Sequence, residues 1–113
     1  MSVRFIASSA VSCMLFVAGA VQAAPDTAKV KEILGANACL ACHGIDKKIV
    51  GPSYQDIGAK YKGGDATVAE TLTKHIKQGV SGVWGPVPMP PNPNISNENV
   101  ALIVDWIIAG APQ

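Results

Sequence analysis

The sequence predicts an all-α fold, a single domain of about four short helices. Three observations carry this reading. Apolar residues recur three and four positions apart in several short stretches; capping residues and glycines set those stretches off; and no run alternates apolar and polar residues over a useful strand length.

Taken in order, Thr27 to Leu34 is the first helix. Asp26 or Thr27 can cap it, Val30, Ile33 and Leu34 share a face, and Gly35 can end it. The segment Gly44 to Gly51 is too rich in glycine and lysine to be core. Pro52 suits the first turn of a second helix, in which Tyr54, Ile57 and Tyr61 recur at helical spacing. Gly63-Gly64 then interrupts the chain. Asp65 is the expected N-cap of a third helix whose Val68, Leu72 and Ile76 form a stripe, with Gly79 at its end. A last helix starts from Ser96 and runs to about Ala109, turning Val100, Val104, Ile107 and Ile108 toward the core, and Gly110 closes it.

Between the last two helices, Gly79 to Ile95 holds glycines at 79, 82 and 85 and prolines at 86, 88, 90, 91 and 93. Such a segment could be a loose linker. Trp84 and Met89 in its middle argue instead for a stiff loop wrapped against something flat and apolar.

The first 23 residues have the composition of an export signal. Arg4 is the one early charge, an apolar stretch runs from Phe5 to Val21, and Val21-Gln22-Ala23 offers small side chains where a signal peptidase reads. A membrane anchor is the rival, but Ser8, Ser9, Ser12 and Gly19 interrupt the stretch. Cys13 is poorly placed for lipid attachment, since too little apolar sequence precedes it. Cleavage before Ala24 leaves a domain of residues 24–113, delivered to the periplasm, with no stable membrane insertion.

Removing that segment leaves 90 residues containing two cysteines, one methionine and eight lysines against eight acidic groups. So even a balance of charge argues against nucleic acid as a partner, because neutralising phosphates needs a basic surface. A chain this short has a limited core of its own. A large covalently held group would complete it.

The run Cys39-Leu40-Ala41-Cys42-His43 supplies the means of holding one. Two thiols three positions apart, followed at once by an imidazole, form the attachment pattern of a c-type haem. Each thiol can add to a haem vinyl group, and His43 is then placed to bind iron. A thioredoxin-type pair would want a βαβ setting, which is missing here. Zinc needs four ligands, and beyond this run only His75 is offered, with no further ligand at finger-like spacing.

The sixth position on iron decides between carrier and catalyst: an open one binds oxygen or peroxide, a closed one moves electrons. Met89 and His75 are the two candidates. His75 borders the apolar stripe of the third helix and is poorly placed to cross a ring. Met89 lies between Pro88 and Pro90, whose fixed φ angles aim its thioether. A soft thioether favours ferrous iron and raises the potential, which points to an electron carrier and away from an enzyme.

Three stretches together closely resemble the small class I bacterial cytochromes c of the c-551/c-552 type: Cys-Leu-Ala-Cys-His at 39–43, Val-Gly-Pro-Ser-Tyr at 50–54, and Gly-Val-Trp-Gly-Pro-Val-Pro-Met-Pro-Pro-Asn at 82–92. The resemblance implies the class I fold around one covalent haem c, with Cys39 and Cys42 as attachment points and His43 and Met89 as axial ligands. It further implies that the Pro52 carbonyl accepts a hydrogen bond from His43, that Asn92 bonds near the ligand sulfur, that Trp84 reaches a haem propionate, and that Trp106 packs in the C-terminal helix. His75 stands where well-known members carry an arginine paired with a buried propionate. If it makes the same contact, the potential acquires a pH dependence.

The expected function is therefore a periplasmic carrier of one electron between respiratory-chain donors and a terminal reductase, oxidase or peroxidase. It would act as a monomer and dock transiently at the exposed haem edge, with Lys47 and Lys48 at the rim. The competing reading is a catalytic or gas-binding haem protein in which Met89 leaves iron, though no distal catalytic pair is visible.

Overall fold

The computed structural model describes residues 25–113, and the export segment expected at 1–23 lies outside the described residues. Four α-helices form the domain: α1 (Thr27–Ala36), α2 (Tyr54–Tyr61), α3 (Ala66–Gln78) and α4 (Asn97–Ile108), with a 3-10 turn over Cys39–Ala41. Among the described residues the only β pairing is two isolated bridges, His43 with Lys48 and Val80 with Met89. The all-α expectation holds.

Each helix begins in the same way. The side chains of Asp26, Ser53, Asp65 and Ser96 accept a hydrogen bond from the backbone N–H three residues on. Each such cap satisfies a donor that the helix leaves unpaired and is worth about 1 kcal/mol. Two boundaries differ from expectation. Pro52 lies outside α2, because Ser53 takes the N-cap and its side chain is itself buried. Helix α1 runs past Gly35 to Ala36, where the Asn37 amide donates to the Ile33 carbonyl and closes the end.

Helix α4 is the hub against which α1, α2 and α3 all pack. Three neighbours demand a wide apolar face, so Val100, Ile103, Val104, Trp106 and Ile107 are all buried. Ile103 joins the core although the periodicity did not select it, and Ile108, expected inside, is half-buried. From α1 come Val30, Ile33 and Leu34, and from α2 Tyr54 and Ile57. Trp106 is fully enclosed, and its indole N–H donates to the Pro112 carbonyl at 2.9 Å, an oxygen that also accepts from Thr27 Oγ1. One carbonyl thus ties the last residues to the start of α1.

The stripe on α3 behaves differently. Leu72 is buried, yet Val68 and Ile76 stay half-buried. Leu72 and Ile76 look into a cleft, so this face is only partly matched by protein.

Helix α2 meets the end of α4 through Gly58. A Cβ there would stand 2.5 Å from the Gly110 carbonyl carbon and oxygen and 2.7 Å from Ala111 Cβ. Helix propensity favours Ala over Gly by about 0.5–1 kcal/mol, but forcing backbone apart in a packed core costs about 1–3 kcal/mol. Gly58→Ala should therefore destabilise the domain by about 1–2 kcal/mol net, read as a lower denaturant midpoint of the loaded protein. A higher midpoint would show that the α2–α4 crossing gives way easily.

Candidate functional site

The site is built from the segment that links α1 to α2 and the loop that links α3 to α4. In the first, Ala38 sits in the left-handed region at φ 58° and turns the chain into the 3-10 turn that carries Cys39. Cys42 donates its N–H to the Cys39 carbonyl, and both side chains stand as free, half-buried thiols on one wall of the cleft. Burial pushes the Cys39 thiol above its usual range, since the residue packs against the core; its sulfur lies 3.8 Å from the Asn37 carbonyl oxygen.

The orientation of His43 is fixed from two sides. Its Nδ1 is 2.8 Å from the Pro52 carbonyl oxygen, which fits Nδ1 as the protonated donor and leaves Nε2 as the lone-pair nitrogen. Gly51 lies against the ring: a Cβ there would stand 2.6 Å from Cε1 and 2.9 Å from Nδ1. Tyr54 then packs with its ring centroid 5.4 Å from that of His43 and 5.4 Å from that of Trp106. Burial drives the Tyr54 phenol far above its ordinary value, so it stays neutral. The imidazole is thereby joined to the deepest part of the core.

Met89 occupies the other segment. Its N–H donates to the Val80 carbonyl at 2.7 Å, and the Val80 N–H donates back to the Met89 carbonyl at 3.1 Å. Gly79, at φ 80°, allows this approach, since a Cβ there would lie 2.6 Å from the Met89 oxygen. Beyond Met89, Asn92 donates its backbone N–H to the Ile76 carbonyl, and its side-chain amide donates to the carbonyls of Pro90 and Ile76. The loop is thus stiff and folded onto the end of α3.

These parts enclose two adjoining cavities of about 290 Å³ each, and Cys39, Cys42, His43, Met89 and Pro90 border both. Each alone is at the lower limit of small-molecule sites, about 300–1,000 Å³. Joined, they have room for a group of cofactor size. The wall is mainly apolar, and Val50, Val83, Trp84 and Val87, four of the large exposed hydrophobic side chains, all line it. A flat apolar ring would cover them. With two thiols, one directed imidazole nitrogen and a thioether, the donor set fits a c-type haem.

Residues 25–107 match the family described as "Cytochrome C oxidase, cbb3-type, subunit III". The chain is 44% identical over 108 residues to cytochrome c-552 of Nitrosomonas europaea, covering 96% of this chain and 97% of that one. It is 41% identical over 97 residues to cytochrome c-551 of Stutzerimonas stutzeri, covering 85% and 91%. This chain belongs to the small class I cytochromes c of the c-551/c-552 type. The crystal structure of the wild-type Nitrosomonas europaea cytochrome c552 superposes with a TM-score of 0.64 at 44% identity, covering 69% of this chain and 95% of that one. As a member of this family the cytochrome carries one covalently attached haem c and is an electron carrier, not an enzyme.

The residues that the sequence offered for holding the haem, its iron and its propionates all border this cleft, whereas Lys47 does not and Trp106 lies in the core. His75 and Trp84 line the larger cavity, Asn92 the smaller, and Pro52 the larger through the turn that holds His43. Three further participants carry weaker signals in the sequence. Gly51 and Tyr54 belong to the 50–54 stretch of the family resemblance but carry no role from it, and nothing in the sequence marks Lys60. Lys60 Nζ in fact lies 4.9 Å from the centre of the Trp84 ring, a cation–π distance that ties α2 to the loop.

Gly51→Ala tests the seating of His43. A methyl group against the ring should turn it and break the bond to Pro52, raising exchange of the Nδ1 proton by about tenfold and lowering stability by about 1–3 kcal/mol. Proton NMR of the loaded protein and its denaturant midpoint read the two effects. An unchanged ring proton would mean that the backbone, not the imidazole, gives way.

Proposed function

We propose that the protein is a periplasmic carrier of single electrons whose iron is closed on one side by His43 and on the other by Met89. The reciprocal backbone pair between Val80 and Met89 is the observation that carries this reading. A methionine held at both its N–H and its carbonyl, with prolines on either side, is poorly suited to swing away for an incoming ligand. A closed site changes its geometry little when an electron arrives.

Haem bound here supplies a metal that alternates between two oxidation states. The chain's own residues determine how. Cys39 and Cys42 would hold the ring covalently, the Pro52 carbonyl keeps the His43 proton on Nδ1 and makes Nε2 a better donor, and Met89 favours the reduced form. The apolar lining excludes water, which further disfavours the more charged ferric state.

Transfer takes place at the cleft mouth. Ile49, Val50, Val83 and Val87 are exposed around it, and Lys47 and Lys48 are exposed beside the His43 turn. This surface suits brief docking: apolar contact at the centre, charge at the rim to speed encounter. The partners would be a quinol-oxidising complex or another cytochrome on one side and a terminal reductase, oxidase or peroxidase on the other, each meeting a monomer. The export segment at 1–23 supports a periplasmic location, and no helix among the described residues is long and apolar enough to cross a membrane. His75 lines the same cleft and is proposed to contact a propionate; Trp84 and Asn92 are proposed to support a propionate and the ligand sulfur.

A visible spectrum tests the closed site. The ferric protein should show the weak far-red band of sulfur bound to iron, and the ferrous protein should take up carbon monoxide slowly. Met89→Ala should abolish the band, speed uptake and lower the midpoint potential. Rapid uptake by the unaltered protein would instead favour a gas-binding or catalytic haem. Midpoint potentials of the wild type and His75→Arg from pH 5 to 9 test the proposed His75–propionate contact, and identical curves would remove His75 from this role.

A further inference from the structure

The proline-rich return of the Met89 loop poses a problem of attachment. Prolines at 90, 91 and 93 remove three of the N–H groups with which this segment could join a backbone ladder. Its carbonyls remain as acceptors. Met89 itself is paired with Val80, but beyond it the backbone contributes one tie, from Asn92 N–H to the Ile76 carbonyl. The rest of the fastening has to come from side-chain donors reaching to carbonyls.

Lys77 is such a donor. It sits in the last turn of α3, where a cation is ordinarily explained by the helix dipole. Its ammonium group reaches further than that explanation requires: Nζ donates to the Pro93 carbonyl at 3.1 Å and to the Ile95 carbonyl. Ile95 is buried, with 4% of its surface exposed, so one of these acceptors belongs to a residue of the core. Lys74, one turn earlier, differs. It is exposed and pairs with Glu70 on the same helix, a contact of little consequence for stability.

We propose that Lys77 is the latch of the Met89 loop, a positioning residue that keeps the thioether on iron by clamping the Pro93–Ile95 limb to the end of α3. The inference rests on Met89 ligation. With the ammonium in place, opening the loop breaks two charge-assisted hydrogen bonds and strands two carbonyls. Without it, Asn92 alone among the described residues hydrogen-bonds the limb past Met89 to α3, and the sixth position becomes available to outside ligands. One residue remote from the thioether would thus separate a closed electron carrier from an open haem.

The test uses the ferric holoprotein and imidazole, which competes with Met89 for iron. Lys77→Met keeps the stem and loses the donor, so imidazole affinity should rise by about tenfold or more, with weakening of the far-red band and unchanged helical signal. Lys77→Gln, too short to reach both carbonyls, should move the same way and decides the matter should the methionine variant not fold. Lys77→Arg, whose fork can address both oxygens, should restore wild-type affinity; Lys74→Met should not depart from it. Imidazole affinity within about twofold of wild type in Lys77→Met and Lys77→Gln, with the band present in the wild type, overturns the latch alone. Failure of Lys77→Arg to bring imidazole affinity back down to the wild-type value also overturns it, by reducing Lys77 to a general contributor to stability. A wild type lacking the far-red band would sink the Met89 ligation itself, and the latch with it.

Discussion

The bond between His43 Nδ1 and the Pro52 carbonyl is the constraint on which the other features of the site depend. At 2.8 Å it fixes which ring nitrogen keeps the proton, and Gly51 beside the ring supplies the space that this orientation needs, since a Cβ there would stand 2.6 Å from Cε1. Once the imidazole is set, the cysteines one and four residues before it are placed as well, because the 3-10 turn joins all three. Tyr54 extends the same constraint inward, packing at a tilt against both His43 and Trp106. The metal side of the molecule and the hydrophobic core are therefore one packed unit.

That unit explains an otherwise untidy division of the apolar residues. Helix α4 is buried around much of its circumference because three helices surround it, whereas α3 buries only Leu72 completely. The remaining apolar face of α3, and the valines and tryptophan of the long loop, turn toward the cleft. A small domain of this kind has too little interior to stand on its own side chains alone. The covalent ring is part of the core as well as the redox centre, and the residues that face it serve both.

Much of this was legible from residue order. The caps at Asp65 and Ser96 and the glycines after α3 and α4 appear where the sequence places them, since they depend on local hydrogen bonding. The attachment run and the methionine between prolines stand out in the sequence as compact motifs, and the fold brings both to one cleft. What was hidden depends on distant contacts. Pro52 suits a first helical turn, but Ser53 is the better cap, so the proline carbonyl is left free for His43. Ile103 rather than Ile108 is the more deeply buried because the position of α2 and α3 around α4 sets the stripe. Nothing in the sequence marks Lys60 or Lys77, and only the folded loop brings Trp84 and the Pro93 carbonyl to them.

The functional consequence is a site built to resist change. Pro52 holds the His43 ring and Val80 holds the Met89 backbone, so on the proposed ligation both sides of the iron are fastened to the fold while an electron passes. A catalyst would need one of these sides to open. The most direct measurement is X-ray absorption at the iron in both oxidation states of the holoprotein. One sulfur and five nitrogens around iron, at nearly equal distances in the ferric and ferrous forms, is the predicted result; a first shell without sulfur, or with an oxygen in its place, would contradict the account.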